Sequence, residues 1–207
     1  LYPSIGVRTT LAHHEIVEHA NEITARSGPV FDSLRAAARR AQTKNLNVLL
    51  SAEGFRRWKP RQIDALREIF GSRSLKMVYV LRDPMTVVRS MWAQSVKLGE
   101  TDGLLEFLDW HIDNLKRSRL LNPLRDLDPH LGLDHADYTI LLYDEIVGRG
   151  DDIFSTFARE ALSIDDIRPT VETANIRMEL ELTEFLRLMS KFGGYDSGPD
   201  RLDVGDA

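Results

Sequence analysis

The chain has 207 residues, of which 43% are hydrophobic, enough to bury one sizeable core, so a single domain is expected. Its formal net charge of −5 excludes binding to nucleic acid through bulk positive charge, and the absence of cysteine excludes disulfides and thiolate metal sites. No apolar run approaches the roughly 20 residues that span a bilayer and no signal-peptide pattern is present, so the sequence predicts a soluble, cytoplasmic protein without a membrane span.

The first 44 residues predict an irregular start followed by two helices. Residues 1–8 are irregular, a helix is expected to begin after Thr9 or Thr10 and to end near residue 25, and a second helix is expected over residues 30–44. His13 lies at the edge of the apolar face of the first helix and His14 lies further round. A histidine pair at a helix start is commonly a capping or surface feature.

A short apolar run, Asn47–Leu50, predicts a buried strand. Ser51-Ala52-Glu53 follows it, at the end of the strand where open α/β sheets bind ligands. Glu53 is expected to cap the next helix or to pair with a neighbouring arginine. Beyond it, a basic cluster surrounds Trp58 and is either a solvated surface or a place to hold an anionic donor or a sugar acceptor; its members are Arg56, Arg57, Lys59 and Arg61.

The most informative stretch runs from Lys76 to Gly99. Residues 77–81 form an unbroken apolar run that predicts a buried parallel strand. Asp83 is suited to be the N-cap of a following helix, because its carboxylate accepts the free amides of a first turn, and Pro84 is suited to the first helical position. The apolar half of that helix is expected to pack on the sheet; it comprises Met85, Val87, Val88, Met91, Trp92, Val96 and Leu98.

Arg82 and Ser90 are the candidate binding residues of this stretch. Arg82 follows the predicted strand at its carboxyl end, and Ser90 lies on the polar face of the helix that leaves the same site. An arginine fork and a hydroxyl that converge there suit a phosphate group. The simpler interpretation is a strand-to-helix turn with a solvated polar face.

The second half of the chain predicts further helices and one more strand. We expect a helix at 104–121, a polar connection at 122–137, a strand at 138–143, helices at 152–162 and 178–192 with an irregular segment between them, and a flexible tail at 193–207. Asp109, His111 and Asp113 are possible metal ligands, but positions i, i+2 and i+4 do not share a helix face, so no metal site is expected there.

This order of elements predicts an α/β fold, a three-layer sandwich with a parallel sheet. An apolar strand, then Arg-Asp-Pro, then a serine eight residues after the arginine resembles the 3′-phosphate-binding segment of bacterial sulfotransferases that use 3′-phosphoadenosine 5′-phosphosulfate (PAPS). The resemblance implies a P-loop NTPase-like sulfotransferase fold over residues 1–192. It also implies that Arg82 and Ser90 bind the 3′-phosphate of PAPS as co-substrate, and that no metal is needed.

The resemblance extends to candidates for the general base. Many bacterial sulfotransferases carry Tyr-Pro and then one or two histidines ahead of a helix, which implies His13 or His14, since an imidazole suits general-base catalysis. The triplet Ser51-Ala52-Glu53 resembles a family segment close to the reaction centre, which implies Glu53, because desolvation strengthens a carboxylate as a base. The three candidates remain open. The implied reaction moves a sulfuryl group to a hydroxyl or amine of a small-molecule or carbohydrate acceptor.

One family feature has no counterpart in the sequence. Sulfotransferases begin with a strand and a Gly-, Lys- and Thr-rich loop that cradles the phosphosulfate, whereas no apolar strand precedes Gly6–Thr10 here. The first strand and loop are therefore expected to be missing, as in a truncated enzyme. The alternatives are a degenerate, non-catalytic module that binds an anion or a nucleotide, and a nucleotide-dependent phosphotransferase of similar fold.

Overall fold

The computed structural model describes residues 2–4, 12–71, 74–133, 136–167 and 179–192. They divide into two compact units, the first drawn from Leu1–Val78 and Leu124–Thr139 and the second from Tyr79–Pro123 and Ile140–Ala207. The elements are α1 (His14–Glu18), α2 (Ala20–Ala25), α3 (Pro29–Thr43), a 3₁₀ helix (Glu53–Arg57), α4 (Pro60–Ile69), β1 (Leu75–Leu81), α5 (Pro84–Lys97), α6 (Leu104–Asp113), α7 (Leu124–Leu131), β2 (Ala136–Leu142), α8 (Tyr143–Gly148), α9 (Ile153–Leu162) and α10 (Leu180–Phe192).

The α/β class predicted from the sequence is confirmed, with mostly helices and a small parallel sheet of β1 and β2. Both strands lie where they were predicted, and each begins two residues earlier than expected. The third strand, predicted at Asn47–Leu50, is wrong, because this segment is not part of the sheet. A run with three apolar residues specifies a strand only if a neighbouring strand is available to pair with it.

The prediction for residues 104–137 is wrong in two respects. The expected helix at 104–121 ends at Asp113, and the expected polar connection contains α7. Ser118 explains the early end of α6, since its buried hydroxyl lies 2.9 Å from Nδ1 of His111 and accepts a hydrogen bond from the amide of Leu121. This contact folds the chain back on α6, which a regular helix through residue 118 would not allow.

The helix predicted from residue 10 to residue 25 is divided at His19. Its described part consists of α1 and α2, and residues 5–11 lie outside the described ranges. Nδ1 of His19 lies 2.6 Å from Oε1 of Glu22, and Oε2 of Glu22 accepts the amide of Val30 in the first turn of α3. Burial raises the pKa of Glu22, but hydrogen bonds from Val30, His19 and Phe31 outweigh it and lower the pKa overall.

The core of the first unit lies between α1, α2, α3, the 3₁₀ helix and α4. Gly54 in the 3₁₀ helix approaches α1 so closely that a Cβ at this position would lie 2.4 Å from Cγ1 of Val17. The β-branched valine cannot swing away, so this close packing requires glycine. The buried apolar residues of this core are Ile16, Ala20, Ile23, Val30, Leu34, Trp58, Ile63, Leu66 and Leu133.

In the second unit, α5 buries a narrower face than the sequence predicted. Val88, Trp92 and Val96 are buried, whereas Met85 and Leu98, expected on the same face, are exposed. Trp92 also donates its indole N–H to the carbonyl of Asp102 at 3.0 Å, which holds the connection between α5 and α6 against α5. Leu98 is the C-cap of α5 and lies beyond the last packed turn.

We predict that Gly54→Ala destabilises the protein by about 1 to 3 kcal/mol, because the added methyl group overpacks the contact with Val17. Urea unfolding followed by circular dichroism measures the change. Gly132→Ala is the matched control, since a Cβ there meets nothing within 4 Å and we expect a change within about 0.5 kcal/mol. Equal effects of the two substitutions would contradict the packing explanation.

Candidate functional site

Arg82 and Tyr143 lie side by side at the carboxyl end of the sheet. Arg82 is the first residue after β1, and Tyr143 is the first residue after β2. The guanidinium carbon of Arg82 lies 4.6 Å from the centroid of the Tyr143 ring, a cation–π distance. Arg82 is exposed, and no carboxylate of the described residues forms an ion pair with it. Its N–H groups are therefore accessible to an anion.

Two carboxylates occupy the start of α5. The carboxylate of Asp83 accepts the amide of Thr86 at 2.9 Å, which confirms the predicted N-cap, with Pro84 at the first helical position. The amide of Asp83 donates in turn to Oδ2 of Asp144, which follows Tyr143. Because these two amides already have acceptors, neither is available to an anion beside Arg82. The two acidic groups also oppose anion binding, which leaves the arginine as the essential attraction.

Ser90 lies in α5, half-buried, in the same unit as Arg82. It is six residues beyond Pro84, or about 9 Å along the helix. No hydrogen bond within the described residues joins Arg82 to Ser90. Their joint binding of a phosphate group remains a prediction.

His13 is fully buried in the first unit, and both of its ring nitrogens have partners. Nε2 lies 2.9 Å from the carbonyl oxygen of Pro3, and Nδ1 accepts the amide of Ser51 at 3.0 Å. The backbone amide of His13 also donates to the carbonyl of Ser51 at 2.7 Å. A carbonyl oxygen can only accept, so Nε2 donates to Pro3, whereas Nδ1 lies close to both the amide and the carbonyl oxygen of Ser51. These contacts make His13 a link between the start of α1 and the segment that leads to Glu53.

The other two candidates for the base are more accessible than His13. His14 is the first residue of α1 and is half-buried, and Glu53 opens the 3₁₀ helix and is exposed. The contacts of His13 with Ser51 bring these two segments together although they are 38 residues apart in sequence. Both belong to the first unit, whereas Arg82 and Ser90 belong to the second.

The basic residues around Trp58 are exposed at the protein surface. Trp58 itself is buried against Phe55, and its carbonyl oxygen lies 2.5 Å from Nε2 of His130. Its face is therefore not available to stack on a sugar. Arg56 is exposed and lies 3.7 Å from the carboxylate of Asp126, an ion pair that α7 contributes.

The sequence analysis did not identify Tyr143 or Asp144 as part of this site. Tyr143 is the last residue of a predicted strand and Asp144 follows it, as Arg82 follows its own strand, and this position at a strand end was the available signal. Of the helices in the described ranges, none combines the length and the apolar character that crossing a bilayer requires. In those ranges, no three His, Asp or Glu side chains lie in position to share a metal ion.

Comparisons of the chain with protein-family models, with curated proteins and with solved structures gave no match. What the site can do therefore has to be inferred from its own residues and contacts.

Proposed function

We propose that the chain is a sulfotransferase that binds PAPS through its 3′-phosphate at Arg82 and Ser90 and has a P-loop NTPase-like fold. The observation that carries the proposal is the position of Arg82, an accessible cation at the carboxyl end of a parallel strand beside a second strand end. Arginine binds phosphate oxygens in a bidentate manner. The stacking on Tyr143 supports this role, because it restrains the guanidinium before the anion arrives.

In the proposed reaction, a base of the protein removes the proton from the acceptor hydroxyl or amine. The acceptor atom attacks the sulfur of PAPS and forms the new bond. The bond from sulfur to the bridging oxygen breaks, and its electron pair leaves with 3′,5′-adenosine bisphosphate. The residues of this chain contribute donor binding and proton removal; Arg82 holds a phosphate remote from the reacting sulfur and positions it by binding energy.

His14 and Glu53 are better suited than His13 to be the base. A general base needs a lone pair that can reach the acceptor. Nδ1 of His13 already accepts the amide of Ser51, and its Nε2 donates to Pro3. His14 is half-buried and Glu53 is exposed, so both are more accessible to an acceptor than His13.

We predict that Arg82→Ala weakens the binding of 3′,5′-adenosine bisphosphate by about 30- to 1,000-fold, or about 2 to 4 kcal/mol, because a charged phosphate contact is lost. Ser90→Ala is expected to cost about 10- to 150-fold, as the loss of one hydrogen bond to a charged group does. Isothermal titration calorimetry of the wild-type chain and the variants measures both effects. The nucleotide is also expected to bind without magnesium, unlike a substrate of a phosphotransferase.

Arg159→Ala is the matched control for this experiment. Arg159 is an exposed arginine of α9 in the same unit, paired with Glu160 at 3.5 Å, so the substitution removes the same charge from a different helix. We expect its affinity to equal that of the wild type. If the folded wild-type chain does not bind the nucleotide, or if Arg82→Ala and Arg159→Ala bind equally well, the donor site is wrong.

We predict that either His14→Gln or Glu53→Gln lowers sulfuryl transfer from PAPS by about 10²- to 10⁴-fold while nucleotide binding is unchanged, since only the base is removed. Transfer to a panel of phenols, sugars and amines measures the rate. His13→Gln is expected instead to lower the melting temperature, because its buried hydrogen bonds are disrupted. Nucleotide binding without any transfer would favour the non-catalytic module.

A further inference from the structure

Helix α10 buries two polar residues. Its buried residues are Thr183 and Arg187, which are 1% and 8% exposed. Arg187 donates to the carbonyl of Thr101 at 2.7 Å and forms two hydrogen bonds with the carboxylate of Glu184, at 2.6 and 2.8 Å. These polar contacts attach the inner face of α10 to the connection between α5 and α6 within the second unit.

The outer face of α10 is an apolar stripe. Its members, Leu182, Phe185, Met189 and Phe192, are 42%, 57%, 40% and 77% exposed. Their spacing of three, four and three residues is that of the a and d positions of a coiled coil, which form one continuous seam. A surface helix normally places such a seam against its own core, so the reversed orientation of α10 indicates a surface that another helix covers.

We propose that α10 pairs with α10 of a second copy of this chain, antiparallel and about a two-fold axis near Arg187. The stripe is symmetric about this residue, with apolar side chains two and five positions before it and two and five positions after it. In an antiparallel pair, Leu182 of one copy therefore faces Phe192 of the other, and Phe185 faces Met189. Such a self-complementary contact is what a two-fold interface requires.

The area of the stripe fits a homodimer. Its partly exposed leucine, methionine and phenylalanine side chains leave on the order of 500 Å² accessible per copy. A symmetric pair would bury about 1,000 Å² in total, the lower limit for a specific interface. Beside the stripe, Leu188 is 39% exposed and adds apolar area to the proposed contact. No two side chains of like charge face each other across the two-fold axis.

Sedimentation velocity of the full chain at concentrations from about 1 to 100 μM tests the proposal. We expect a reversible dimer, and we expect Phe185→Glu to raise its dissociation constant at least 30-fold, as the loss of a central aromatic anchor does. Phe154→Glu on α9 is the matched control; Phe154 is 46% exposed in the same unit, and the variant is expected to remain dimeric. A monomeric wild type, or a dimer that Phe185→Glu does not weaken, would overturn the proposal.

Cysteine cross-linking tests the register, because the chain has no cysteine of its own. We expect a mixture of the Phe185→Cys and Met189→Cys chains to form a disulfide-linked dimer under mild oxidation more readily than either chain alone. If each chain instead links preferentially to itself, the helices are parallel and the antiparallel arrangement is wrong. If no sample cross-links although the protein is dimeric, another surface forms the dimer.

Discussion

The parallel pairing of β1 and β2 is the constraint on which the candidate donor site depends. Parallel neighbours end at the same edge of a sheet, so Arg82 and Tyr143, each one residue past its strand, lie next to each other. The bond from the amide of Asp83 to Asp144 then ties the two chain segments together beyond the strands. Without this pairing, the arginine would be an ordinary exposed side chain with no restraint on its direction.

At this edge of the sheet, an anion would be both attracted by an arginine and repelled by two acidic side chains. Beside the guanidinium of Arg82 lie two acidic side chains, Asp83 at the N-cap of α5 and Asp144 in α8. A phosphate group would have to gain more from the arginine than it loses to these acids. Binding of this kind is weakened by salt, because the groups are exposed and their attraction is screened. It also favours a ligand that offers further contacts, as a nucleotide does.

Local chemistry was sufficient to predict some elements but not others. The start of α5 was predicted correctly because a carboxylate, a proline and an apolar strand each act on their immediate neighbours. The end of α6 was predicted wrongly, because it depends on the contact of Ser118 with His111, seven residues earlier. The strand expected at Asn47–Leu50 failed for a related reason, since an apolar run does not state whether a partner strand will pair with it.

The same distinction applies to the candidate site. Arg82 could be singled out from its motif, whereas the contribution of Tyr143 requires knowing that two strands 61 residues apart run side by side. The burial of His13 was equally hidden, because its partners, Pro3 and Ser51, lie 10 and 38 residues away. Sequence spacing indicates which side chains could bind a ligand or take part in catalysis. Tertiary contacts decide which of these side chains already have hydrogen-bond partners within the protein.

The first unit is assembled from two separate segments of the chain, and this has a consequence for its synthesis. The carbonyl of Trp58 is contacted by the ring of His130, which is 72 residues further along. A ribosome adds these residues in roughly 4 to 14 seconds at about 5 to 20 residues per second. Until then, the first segment carries its apolar side chains without the helix that completes their enclosure. The speed of translation, and not only the equilibrium stability, therefore sets how long this half-made core is open to chaperones or to aggregation.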